Sequence, residues 1–296
     1  MSDDLTHVIF SGGGLCGLAY IGAIRFLQVE GLDKHIHYVS GSSMGAIFAT
    51  IFALRIPLHE MEKSLVKLLC EDDTLTFPYP DMLKLYQSFG MDDGHKFLTL
   101  LKSYLDKLTF IDLTKRTGIH LTICATHLDT MTPTYFSVDT TPNVLVYDAI
   151  RASIAVPWVM KPVMIGEDSY IDGGITDNLP FAPFEKNNVP PSSMLMLYIN
   201  QFAEMQQSPL SSPWVYTYTI LQRFIAPVNY CNLLKRIYPH VIFMENLSIP
   251  FIPLVFEDDK IIIRTTQKEI EDTIVQGYTF MYQHFYGKNN LSGKVE

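Results

Sequence analysis

The chain of 296 residues is predicted to adopt an α/β fold around a mainly parallel sheet. Three observations carry that prediction. Short apolar runs at Leu5–Phe10 and Tyr38–Ser40 each lead straight into a glycine-bearing turn. Each turn opens into a segment whose apolar residues recur at helical spacing. The unit of strand, tight turn and helix occurs twice in succession, which stacks strands in parallel with crossovers on the sheet faces.

In order along the chain, Leu5–Phe10 reads as a short buried strand ending at Ser11 and three glycines. A helix is expected from Gly17 to about Glu30, with Leu18, Ile21, Ile24 and Leu27 on one face and Gly31 as its C-terminal cap. Tyr38–Ser40 is the second strand, and Gly41 to about Leu54 turns into an apolar helix. Amphipathic helices are expected at Leu58–Cys70 and about His95–Leu108, separated by a loop rich in Pro, Asp and Gly. Strands follow at Ile119–Thr126 and Pro133–Val138. A short helix over Asp148–Ala155 should stop before Pro157, and Met194–Asn200 reads as a buried strand. Met205–Gln222 carries no charge and includes Trp214, Tyr216 and Tyr218; it reads as a buried helix or as a lipid-facing cap.

Composition excludes several classes. Hydrophobic residues make up 48% and mean hydropathy is +0.14, incompatible with wholesale disorder. The balance of 22 Lys plus Arg against 31 Asp plus Glu gives a net charge of −9, so no nucleic acid is expected as partner. Four scattered cysteines fit free thiols rather than a disulfide scaffold or a metal site. Asp258-Asp259 and Asp92-Asp93 lack calcium-loop spacing; no metal and no cofactor are expected. The acidic start and the lack of a long apolar run point away from a signal peptide and a spanning helix, hence to a cytoplasmic protein that meets membranes peripherally.

Three motifs carry chemistry. Gly41-Ser42-Ser43-Met44-Gly45 is a G-x-S-x-G between a predicted strand and a predicted helix. A sharp turn there needs glycines two residues either side of Ser43 and lifts its hydroxyl out of the sheet. Gly12-Gly13-Gly14-Leu15-Cys16-Gly17 sits at the first strand-to-helix turn, where bare backbone amides could line an oxyanion hole. The same residues satisfy G-x-G-x-x-G, with Asp33 roughly where a ribose ligand would sit, so a dinucleotide site is the rival reading. Asp172-Gly173-Gly174 places a carboxylate at a strand end, a candidate general base or simply a turn.

In this order the three motifs resemble the patatin-like phospholipase family, and the resemblance covers about Leu5 to Phe184. Thr109–Leu113, Cys124-Ala125-Thr126, Tyr135-Phe136-Ser137 and Asp148–Pro157 resemble it as well. The resemblance implies a three-layer α/β/α fold and a Ser–Asp dyad that hydrolyses carboxylic esters of membrane lipids. Ser43 would be the nucleophile and Asp172 the base; Gly12, Gly13, Gly14 and Met44 would supply the oxyanion hole. Gly17, Gly41, Gly45, Gly173 and Gly174 would support the motifs. A catalytic core over 1–200 is expected, with 201–296 as a C-terminal extension or cap packed on the same domain. The partners implied are a phospholipid or other acyl lipid and a transient membrane surface. Two positions depart from the family pattern: Cys16 stands where Arg or Lys is usual, and His127 where Asn is common.

Other residues compete for these roles. A Ser–Asp–His arrangement would draw on His240 or His284, both downstream of Asp172. Asp177 competes with Asp172, and Ser42 and Ser153 with Ser43, although Ser153 falls in a helical segment where its hydroxyl should bond backbone. Arg151 is a salt-bridge partner or an anion contact. Cys16 is a reactive thiol at a helix start or a packing residue. A non-catalytic lipid- or dinucleotide-binding module that kept the fold is the alternative to an enzyme.

Overall fold

The computed structural model of the chain describes residues 4–71, 76–78, 88–95, 98–200, 234–250, 254–257 and 260–287. Strand β1 (His7–Phe10) is buried at every position, as a strand covered on both faces must be. It passes through a 3-10 turn, Gly14–Leu18, into α1 (Ala19–Val29), so the helix proper starts two residues after the expected Gly17. The triple glycine tightens that entry, with Gly14 in the left-handed region at φ 53°. Strand β2 (Tyr38–Ser42) and α2 (Met44–Ala53) repeat the unit with Ser43 alone between them. Helix α3 (Leu58–Val66) then widens into a π turn over Lys67–Glu71.

Beyond β3 (Thr76–Pro78) and β4 (Gly90–Asp92), α4 (Thr99–Leu105) is shorter than the expected His95–Leu108. The side chains of Asp92 and Asp93 accept the Gly94 and His95 amides, which commits that stretch to a turn. Helix α5 (Phe110–Thr117) lies outside the elements expected from periodicity, although Thr109 caps its start and Gly118 closes it. Strands β5 (His120–His127) and β6 (Thr132–Ser137) fall within a residue or so of expectation. Helix α6 (Val146–Ser153) precedes β7 (Trp158–Met160), β8 (Val163–Ile165) and β9 (Asp168–Asp172). Then come α7 (Ala182–Lys186), β10 (Met194–Ile199), β11 (Val241–Met244), β12 (Leu254–Glu257), β13 (Lys260–Ile263) and α8 (Gln267–Tyr286).

The central sheet runs β11-β10-β1-β2-β5-β9-β8, with β6 also paired to β5. Strands β11, β10, β1, β2 and β5 are parallel. Strands β6, β9 and β8 add an antiparallel wing. The sheet is therefore mainly parallel, as expected. Strand alternation sorts the core into two layers. Val8, Phe10, Leu195, Leu197 and Ile199 face a large cluster that includes α1, α2 and α8. Ile9, Met194, Met196 and Tyr198 face a smaller one with Leu179, Phe184, Leu234 and Tyr238. Helices thus cover both faces, in the three layers implied by the family resemblance.

The last helix is part of that packing. Helix α8 starts at a capping box formed by Thr266 and Glu269. It crosses α1 where glycines meet backbone: a Cβ on Gly22 would collide with the Ile274 carbonyl, and one on Gly277 with that of Ala19. Phe26 stacks on Phe285 at 5.5 Å beside the crossing. The charge-free run Met205–Gln222 lies outside the described residues. Among the described residues, no helix is long and apolar enough to cross a membrane.

Candidate active site

Parallel strands deliver their C-terminal ends to one edge of the sheet, where loops can gather polar groups. Ser43 sits at that edge, between the last residue of β2 and the first of α2, with φ 53° and ψ −127°. This is strained backbone for a residue with a side chain. The turn is tight because Gly41 and Gly45 touch: a Cβ on Gly41 would meet the Gly45 carbonyl, and one on Gly45 the Phe10 carbonyl. The expected reason for those glycines is the observed one.

Across the edge, β9 runs antiparallel to β5 with Ala125 paired to Asp172, while Ser42 is paired to Cys124. That register brings Asp172 level with Ser43. The Ser43 hydroxyl donates to Asp172 Oδ2 at 2.7 Å, and the Gly174 amide donates to Oδ1 at 2.7 Å. Asp172 is 4% exposed. Burial lifts its carboxyl to about pKa 6, against the opposing pull of the two hydrogen bonds from Ser43 and Gly174. Such a carboxyl is about ten-to-one ionised at pH 7 and is a stronger base than an exposed aspartate.

The glycine turn flanks the same hydroxyl, since a Cβ on Gly12 would lie 3.0 Å from Ser43 Cβ. One expected member is already committed. The Gly12 amide donates to the Asn178 carbonyl at 3.0 Å, so Gly12 shapes the turn rather than offering a free donor. Among the described residues no acceptor engages the amides of Gly13, Gly14 and Met44. The glycines of this turn are filled by protein: a Cβ on Gly13 would strike Ile199, and one on Gly17 would strike Met44. Asp33 pairs with Arg55 at 3.2 Å. Beside Gly13 and Gly17 there is thus no open cradle for a pyrophosphate, and Asp33 has one carboxylate oxygen on Arg55 and the other buried.

The competing residues take other positions and partners. His240 precedes β11, three strands from β2, a lateral separation of about 14 Å at normal strand spacing. It contacts His284, with Nδ1 and Nε2 3.2 Å apart. Among the described residues, none of the nine histidines is a hydrogen-bond partner of Ser43 or Asp172. Burial lifts Asp177 to about pKa 6 as well, but its carboxylate accepts the Tyr135 hydroxyl at 2.7 Å. Among the described residues, Ser42 Oγ is buried without a partner. The Cys16 thiol donates to the Ile249 carbonyl at 3.3 Å and is pushed up to about pKa 12 by burial, so it packs rather than reacts. Arg151 donates to the Asp93 carbonyl at 3.2 and 3.3 Å, a backbone contact. His127 lies 3.4 Å from Asp168 at the rim of the antiparallel wing.

The parts that two residues play at this edge escape a reading of the sequence. Asn178 binds the glycine turn twice, receiving the Gly12 amide on its carbonyl and donating Nδ2 to the Gly12 carbonyl at 3.3 Å. Ser153 contacts Ser43 itself, 110 positions away. Its place before Ala155 and Pro157 was visible, but the contact depends on how β2, β5 and α6 stack.

Comparisons with known proteins agree with this architecture. A protein of Acanthamoeba polyphaga mimivirus, Uncharacterized protein R571, is 31% identical over 61% of this chain and 62% of its own. The Probable lipid hydrolase 463L of Invertebrate iridescent virus 6 is 25% identical over 58% of this chain and 61% of its own. The chain therefore spans about three fifths of the length of these curated relatives. Among solved structures, VipD from Legionella pneumophila shares the fold with TM-score 0.59 at 17% identity, over 95% of this chain and 66% of that one. The sequence pattern of the family described as Patatin-like phospholipase matches residues 8–185, from the first strand through the glycine turn, the serine elbow and the Asp172 loop. The chain belongs to the patatin-like phospholipase family.

Proposed function

We propose that this chain is a lipid acyl hydrolase of phospholipase A type, acting on carboxylic esters of membrane lipids through Ser43 and Asp172. The observation that carries the reading is the 2.7 Å hydrogen bond from a strained Ser43 to a buried carboxylate. Asp172 takes the hydroxyl proton as Ser43 attacks the ester carbonyl. The tetrahedral oxyanion is met by the amides of Gly13, Gly14 and Met44, the last at the positive end of α2. Collapse releases the alcohol portion of the lipid, which takes up the proton from Asp172, and leaves an acyl-Ser43 ester. Water, deprotonated by Asp172, then frees the fatty acid and returns the proton to Ser43.

Family membership and the name of the iridescent virus relative support a lipid ester as substrate. The net charge of −9 favours a neutral or zwitterionic lipid surface over an anionic one. The test is release of fatty acid from phosphatidylcholine vesicles, with a soluble nitrophenyl ester in parallel. Wild type should turn over both, and Ser43→Ala should lose both while keeping its thermal melt. Undiminished turnover by Ser43→Ala would remove the dyad.

A further inference from the structure

Ser153 is fully buried at the C-terminal end of α6, and its hydroxyl makes two bonds that meet at the elbow. It donates to the Cys124 carbonyl at 2.6 Å, and it accepts the backbone amide of Ser43 at 2.9 Å. A hydroxyl can donate and accept at once, and with its proton committed to Cys124 its lone pairs are left for Ser43. Two residues on, the Ala155 carbonyl accepts the Asp172 amide at 2.9 Å. One helix end thus grips the backbones of both Ser43 and Asp172.

We propose that Ser153 is a positioning residue: its hydroxyl holds the Ser43 backbone in the left-handed conformation that aims Oγ at Asp172. This inference rests on the dyad reading above. A left-handed residue with a side chain reverts to ordinary backbone unless its surroundings hold it. The Ser43 amide points at the fully buried Ser153 hydroxyl, and removing that acceptor leaves a backbone donor facing a site with no substitute partner of its own. The same bond withdraws that amide from the substrate side, which leaves Met44 as the donor contributed by the elbow. The neighbouring Cys124 thiol is raised by burial and by the charges of Asp177 and Asp172, so it remains neutral around pH 6. A changed titration of Asp172 in a Ser153 variant therefore reports the Ser43 hydroxyl.

The test compares Ser153→Ala, Ser153→Cys and Ser153→Thr with wild type on a soluble nitrophenyl ester, with thermal melts and Ser43→Ala as control. Loss of positioning lowers kcat by about 10- to 100-fold in the Ala and Cys variants and leaves KM within about twofold. Ser153→Thr, which keeps the hydroxyl, should recover most of the rate. The acid limb of the pH–rate profile should move upward in the Ala and Cys variants, because Asp172 loses the donor that opposes its protonation. Should the Ala variant not fold, the near-isosteric Cys variant decides. Wild-type kcat per folded molecule with an unmoved acid limb overturns the proposal and leaves the dyad standing; turnover by Ser43→Ala overturns the dyad instead.

Discussion

The two ends of the parallel sheet hold titratable groups in opposite ways. At the C-terminal edge, a strained serine donates to a buried carboxylate beside amides that have no partner among the described residues. At the N-terminal edge, His7, Tyr38 and His120 stand side by side on β1, β2 and β5. His7 stacks on Tyr38 at 4.5 Å, and Tyr38 meets His120 at 4.8 Å. Both ends bury ionisable side chains, yet only one combines a nucleophile, a base and free donors. Buried histidine alone is a poor sign of chemistry; convergence of strain, charge and unspent hydrogen bonds is a good one.

The largest effect that could break this contrast is on turnover. Ser43→Ala should cost about 1,000-fold or more in kcat, while His240→Ala and His284→Ala stay within about twofold, measured on the same soluble ester. An equal loss at a histidine would move the chemistry to the other end of the sheet. Gly14→Ala places a side chain where φ is 53° and should lower kcat by about 10- to 100-fold through the displaced amides, with KM nearly constant. Next is pH: with Asp172 near pKa 6, the rate should fall as acid protonates the base, by about fivefold from pH 6 to pH 5.

The smallest effects concern stability, and their signs differ between the two ends. The folded state raises the Asp172 pKa above its unfolded value, so it binds the proton more tightly and loses stability as pH rises from about 4 through 6. Asp172→Asn should therefore be inactive yet more stable at pH 8 by about 1–3 kcal/mol in chemical denaturation. Burial instead lowers His7 to about pKa 4, so its contribution is complete above pH 6.5 and is lost as pH falls toward 4. His7→Phe should lose less stability than wild type between pH 7 and pH 5, by about 1–2 kcal/mol. A steeper acid loss in His7→Phe would contradict the assignment of that end.

Legibility in the sequence followed the range of the interactions. Strands such as Met194–Ile199 were readable because both faces are buried and the run is continuously apolar. The serine elbow was readable because its glycines are required locally by the turn. Helix α8 went unread although Thr266 and Glu269 announce its start, because its buried face includes Thr273 and Gly277, which carry no hydrophobic signal. The choice between Asp172 and Asp177 could not be made on burial, which lifts both to about pKa 6. It is the register of β9 on β5 that sets one against Ser43 and the other against Tyr135. Ser153 was legible as a residue that bonds backbone; which backbone it bonds was not.

The crossing of α1 and α8 has a consequence for anyone who would re-engineer the chain. Where two main chains rest directly on each other, no side chain can be trimmed to absorb an error. Adding a methyl group at Gly277 would push the helices apart, and α1 would pass that displacement to the turn that feeds it. Exchanging that helix for one without its glycine would thus disturb the glycine turn from the far side of α1, with Ser43 and Asp172 both kept in the sequence.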